Sequence, residues 1–202
     1  MKLDLLALLP LAAASPLALQ KSLHDIQFTP KITSVTATGH GCPQGDFTIL
    51  VDSDNSAKVS FDLFNILAGH WLPVHDQTRN CQVSATISFP GACKRAVMKT
   101  RTDAYVLVAK DEAATTAKVS TQFSIIGGSI GGSPPDLAYT SKKGRSTEDD
   151  IGHTWDIPIS ASETKATFVA HLGIFLNATN AKATSHVVVD GFGFLVSQEG
   201  VC

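Results

Sequence analysis

The chain has 202 residues, of which 44% are hydrophobic, 7% aromatic and 17% charged, enough for one domain with a core of its own. Sixteen Lys and Arg against eighteen Asp and Glu give a net charge of −2. A near-neutral chain without a basic run has no footprint for a phosphate backbone, and its apolar content argues against disorder and collagen-like repetition, so nucleic-acid binding is not expected.

The first elements in chain order set the compartment. Lys2 precedes the apolar run Leu3-Asp4-Leu5-Leu6-Ala7-Leu8-Leu9-Pro10-Leu11, and Ala12-Ala13-Ala14-Ser15-Pro16 follows with small residues at signal-peptidase spacing. A run of about ten apolar residues is too short to cross a ~30 Å hydrocarbon core, so residues 1–18 read as a signal peptide cleaved after Ala14 or Ala18. No later segment has the uninterrupted apolar length of a membrane span. The expectation is a secreted, extracellular protein, with residues 19–30 as an N-terminal extension and 31–202 as a single domain.

Period-two alternation dominates that domain. Cys81, Val83, Ala85, Ile87 and Phe89 fall on one face and Gln82, Ser84, Thr86 and Ser88 on the other; Val59, Phe61 and Leu63 alternate likewise, as do Phe47, Ile49 and Val51. Further strand-like stretches run over Ile32–Thr38, Ala104–Ala109, Lys118–Ile126, Thr167–Leu176 and Ser185–Val196, each bounded by Gly, Pro, Asn or Asp. Asp52-Ser53-Asp54-Asn55 is a turn. Only Phe61–His70 and Asp111–Ala117 have the composition for a helical turn. About eight strands, each with one apolar face, predict an all-β fold, an antiparallel β-sandwich braced by two disulfides.

Residues 127–152 interrupt the pattern. Gly127-Gly128-Ser129-Ile130-Gly131-Gly132-Ser133-Pro134-Pro135 is followed by a positive block at Lys142-Lys143-Gly144-Arg145 and a negative one at Glu148-Asp149-Asp150. A structureless loop of that length is either functional or a solvated excursion.

Four cysteines, Cys42, Cys81, Cys93 and Cys202, suit an oxidising compartment and allow three pairings. A Cys81–Cys93 clamp on a hairpin at Pro90-Gly91 leaves Cys42 with Cys202, a bridge that ties the two ends of the domain together. Finger-like Cys/His clustering is absent, and no metal or other cofactor is implied. Asn177-Ala178-Thr179 is the one N-glycosylation sequon.

Gly39-His40-Gly41-Cys42-Pro43-Gln44-Gly45, then Arg79-Asn80-Cys81-Gln82, then Val187-Val188-Val189-Asp190 carry a resemblance. Over roughly residues 30–195 the chain resembles the secreted, mostly fungal family known as domain of unknown function 4360. The resemblance implies secretion and a β-rich fold and supplies no catalytic residues. Ala161-Ser162-Glu163 stands where the family's pattern has Ser-x-Cys-Gly, and Cys93 and Cys202 fall outside that pattern.

No catalytic constellation emerges. Gly127-Gly128-Ser129-Ile130-Gly131 matches the Gly-x-Ser-x-Gly nucleophile elbow formally, but Gly132-Ser133-Pro134-Pro135 cannot open the helix that an elbow needs. The seven histidines show no His-x-His spacing, and no carboxylate pair is brought together by the sequence. The expectation is a non-catalytic, effector-like virulence protein. Its sharpest form is inhibition of a host extracellular papain-like cysteine protease by loop insertion through Trp71, Ser129, Ile130, Pro134 and Trp155. The alternative is a cell-wall or carbohydrate-binding protein using Trp71, Tyr105, Tyr139 and Trp155 to stack on sugars.

Overall fold

A computed structural model describes residues 29–68, 78–89, 94–108, 116–132, 137–140, 147–177 and 184–198, with backbone placement alone for 137–140, 147–151 and 153. The signal-peptide segment, Trp71, Pro134, Cys93 and Cys202 lie outside the described residues.

Alternating apolar residues lay the chain into twelve strands. They are β1 (Lys31–Thr38), β2 (Phe47–Val51), β3 (Ser56–Phe61), β4 (Asn65–Ala68), β5 (Thr78–Ser88), β6 (Arg95–Val108), β7 (Thr116–Ile126), β8 (Gly128–Ile130), β9 (Leu137–Thr140), β10 (Thr147–Ala161), β11 (Lys165–Asn177) and β12 (Ser185–Gln198). Every pairing is antiparallel. A five-stranded sheet runs β1-β5-β11-β7-β9, and a seven-stranded sheet runs β2-β3-β12-β6-β10-β8 with β4 also on β12. Among the described residues there is no helix.

The core lies between the sheets. Along β5 the expected face is buried, from Cys81 through Val83, Ala85 and Ile87 to Phe89. Phe123 of β7 meets Phe192 of β12, and Phe168 of β11 meets Phe194, with centroids 6.2 and 6.3 Å apart, joining one sheet to the other through tilted aromatic contacts. The turn at Asp52–Asn55 forms as the sequence predicts. Asn55 takes φ +66°, and Asp54 Oδ1 accepts from the Ser56 N–H at 2.9 Å.

Four expectations are corrected. First, Cys42 bonds Cys81, with Cα atoms 5.5 Å apart. The two strands that flank Pro90-Gly91 are not a hairpin, because β5 belongs to one sheet and β6 to the other. Cys81 also stands near the start of β5, and the eight residues from Cys81 to Phe89 span about 26 Å of extended chain at ~3.3 Å per residue. The ladder pairs Thr38 with Gln82, so the chain leaving β1 turns back directly onto Cys81. Gly39 makes that turn at φ +144°, and the absence of a side chain on Gly41 leaves room for the Phe64 ring. Second, the Cys42–Cys202 bridge expected to tie the ends of the domain is thereby excluded, and one disulfide is seen among the described residues.

Third, residues 127–152 are not one long loop. Gly128–Ile130, Leu137–Thr140 and the first half of β10 are strands, and β10 pairs with β6 from Thr147↔Val108 to Ser160↔Arg95. Its acidic start lacks alternation, so the partner strand rather than local pattern holds it extended. Fourth, Asn65–Ala68 is strand β4 and not a helical turn; Phe64, Ile66 and Ala68 alternate into the core while Leu67 faces out.

The chain changes sheets at two tied corners. Gly127, at φ +79°, turns β7 into β8, and its carbonyl accepts from both the N–H and the hydroxyl of Ser162, which sits between β10 and β11. Lys94 Nζ donates to the Ser162 carbonyl at 2.8 Å and closes the same corner from the start of β6.

Candidate functional site: a trough on the outer face of the seven-stranded sheet

Four strands, β3, β12, β6 and β10, build the site. On β12, Phe192, Phe194 and Val196 point into the core, so Gly193 and Leu195 are left on the solvent side, while Gly191, beside a register shift, is buried with Lys58 across it. Cross-strand registers place three rows over this face. Ser60, Gly191, Asp103 and Gly152 form one; Lys58, Gly193, Arg101 and Thr154 the next; Ser56, Leu195, Lys99 and Asp156 the third.

At Gly193 the outward side of β12 thus carries no side chain, while β3 and β6 on either side carry long polar ones. The result is a trough of about 570 Å³ lined by Ser56, Lys58, Lys99, Arg101, Asp103, Thr154, Leu195 and neighbouring backbone, with Asp52 at the turn end. Its floor is the backbone of β12. Lys58 leans across that floor, its Cε 3.4 Å from where a Cβ on Gly191 would stand. The Arg101 guanidinium lies over Gly152 in the same manner, its Nη2 3.2 Å from that glycine's Cβ position. Arg101 Nε donates to Asp103 Oδ1 at 2.6 Å, an exposed pair that fixes the guanidinium more than it stabilises the fold.

Tyr105 continues the outward row of β6 beyond Asp103 and stands edge-on to His186, centroids 6.4 Å apart. His186 is in register with Leu67 and Leu107, and its Nε2 is buried with no hydrogen-bond partner. Burial holds its pKa below the ordinary imidazole value, and the nearby Asp190 carboxylate offsets part of that shift. A second opening, about 400 Å³, separates the edge strands β1 and β2; Val35, Ala37, Phe47 and Ile49 show through it, and it has no charged lining.

The sequence-predicted contact residues are not gathered by the described structure. Ser129 is in the edge strand β8 with its hydroxyl 2.8 Å from that of Ser160, and Ile130 packs against the core. Neither projects as a wedge, and the Gly-x-Ser-x-Gly match is an extended strand rather than a strand-to-helix elbow. Trp155 is half-buried on the core side of β10. Trp71 and Pro134 lie outside the described residues. Of the four aromatics expected to stack on sugars, Tyr105 alone is described on the trough face, and the Tyr139 side chain is not described. Asn177 ends β11 and is half-exposed, with the rest of its sequon beyond the described residues. Among the described residues, no group of three or more His, Cys, Asp or Glu gathers as a metal site would require.

Sequence reasoning missed Lys58, Lys99, Arg101, Asp103, Gly191 and Gly193. The available signal was Gly191-Phe192-Gly193-Phe194, where large residues fill one face of a strand and the other face is empty.

The chain belongs to the family described as domain of unknown function DUF4360, whose model matches residues 29–199. No curated protein matches it. Among solved structures, it is similar at 12% identity and a TM-score of 0.27 to the carbohydrate-binding module TmCBM61 in complex with β-1,4-galactotriose, covering 84% of this chain and 91% of that one. It is similar at 12% identity and a TM-score of 0.20 to the enzymatically active domain of bacteriophage CBA120 tailspike protein 4, covering 87% of this chain and 20% of that one. Scores this low carry no argument about ligand.

Proposed function

We propose that this DUF4360-family protein is a non-catalytic, extracellular glycan-binding protein that holds a polysaccharide chain in the trough along β12. The observation that carries the reading is the glycine-floored row Lys58–Gly193–Arg101–Thr154 and its neighbours. Adjacent strands lie about 4.8 Å apart, so the walls on β3 and β6 stand roughly 10 Å from one another, the width of a single sugar chain lying on the sheet. The floor at Gly193 is backbone without a side chain, which lets a flat ring approach closely. The walls offer ammonium, guanidinium, hydroxyl and carboxylate groups to sugar hydroxyls, and Tyr105 continues the β6 wall with an aromatic ring.

A panel of soluble and insoluble wall polysaccharides, assayed by affinity electrophoresis and pull-down, tests this. Wild type is expected to be retained by at least one of them and Gly193→Val by none. Retention of both proteins alike, or of neither, overturns the proposal.

A further inference from the structure

We infer that the glycan this trough takes is acidic, a chain bearing uronate carboxylates; the inference rests on the trough being the glycan site. The whole chain is slightly negative, yet the trough lining reverses that balance. Lys58, Lys99 and Arg101 face it against Asp52 and Asp103, and Asp103 is already engaged by Arg101. Among the described residues, Lys58 and Lys99 make no ion pair, although they stand on opposite walls in adjacent rows.

The side-chain paths sharpen the point. A lysine on a strand surface ordinarily extends its ammonium into water, where hydration is strongest. Lys58 instead lies over Gly191, which keeps its stem on the β12 backbone at one end of the trough. Arg101 lies over Gly152 and keeps donors beyond the one used on Asp103, and a guanidinium presents parallel N–H groups to a carboxylate. A neutral sugar offers hydroxyls, for which a carboxylate or amide wall serves as well as a cationic one. A carboxylate on the sugar is the group that matches the lysines lining both walls, Lys58 on β3 and Lys99 on β6.

The test measures affinity for polygalacturonate, fully methyl-esterified pectin, a neutral galactan and dextran sulfate, at low and high salt, with wild type and the Lys58→Gln/Lys99→Gln double variant. These lysines are exposed, so the variant keeps its fold, which circular dichroism checks. Polygalacturonate is expected to bind on the order of 10-fold more tightly than its methyl ester, from charge-assisted hydrogen bonds absent in the ester. The double variant is expected to lose that preference, its affinity for polygalacturonate falling to that for the methyl ester. Equal binding of the acid and its ester overturns the inference and leaves the glycan reading standing. Equal binding of dextran sulfate and polygalacturonate, both abolished by salt, overturns it in favour of unspecific charge attraction. Failure to bind any of these chains, the broader wall panel included, overturns both.

Discussion

Gly193 and Arg101 are cross-strand partners on β12 and β6, and the glycine leaves the arginine with no side chain beside it on that strand. Phe192 and Phe194 on either side of Gly193 are buried, so this stretch of β12 is full on the core side and empty on the solvent side. The trough exists because of that imbalance, and it persists only while the position stays a glycine.

The glycine's role is space rather than backbone freedom. A Cβ at Gly193 meets nothing closer than the Ala57 carbonyl oxygen, at ordinary contact distance of 3.8 Å, and its φ lies outside the left-handed region. Glycine within a strand costs roughly 0.5–1 kcal/mol relative to alanine. Gly193→Val is therefore expected to unfold at higher denaturant concentration than wild type, by a free energy of about that size. A clear loss of stability would mean that the glycine serves the backbone after all.

The Cys42–Cys81 bridge joins residues 39 apart. In the chain-entropy account, closing a loop of that length is worth about 3–4 kcal/mol. Cys42→Ser is expected to lower the unfolding free energy by that order in urea titration, and reduction of wild type should do the same. A change below about 1 kcal/mol would place the bridge's contribution elsewhere than in the unfolded chain.

His186 makes stability depend on pH. Its neutral form is favoured by burial between Leu67 and Leu107, with Asp190 partly opposing, so its folded pKa lies below the unfolded value near 6.5. The unfolded chain then binds the proton more readily. Stability attributable to this group is complete above pH 6.5, falls as the pH drops through that value, and is fully lost below the depressed folded pKa. Thermal melts across that window should show a smaller slope in His186→Leu than in wild type. An unchanged slope would exclude His186 as the group responsible.

The β12–β6 ladder ends at Gln198↔Ala96. Cys202 follows Gln198 by four residues and Cys93 precedes Ala96 by three, and with Cys42 bonded to Cys81 these are the two cysteines that remain in the sequence. Non-reducing peptide mapping is expected to find Cys93 linked to Cys202 within one chain. Free thiols at both positions, or a disulfide-linked dimer through them, would contradict that expectation.

The sequence made the fold class legible wherever one side of a strand is buried and the other wet. Residues 81–89 and 185–196 announce themselves in this way, and so does the Asp52–Asn55 turn. Strand β4 was hidden because Phe61, Phe64 and Ala68 also fit helical spacing. The start of β10 was hidden because Glu148-Asp149-Asp150 carries no alternation and depends on β6 for its shape. The disulfide partner depended on whether β5 and β6 share a sheet, which no local pattern encodes. The trough was the least visible feature, since residues near 58, 101 and 193 meet only through strand order. Its one local trace is a pair of glycines alternating with a pair of phenylalanines.

The most direct test of the glycan account is a two-dimensional amide NMR titration of the protein with the oligosaccharide that the polysaccharide panel selects. The account predicts that the shifted amides cluster at Lys58, Lys99 to Asp103, Thr154 and Gly191 to Leu195. Shifts confined to the opposite sheet, or to the opening between β1 and β2, would contradict it.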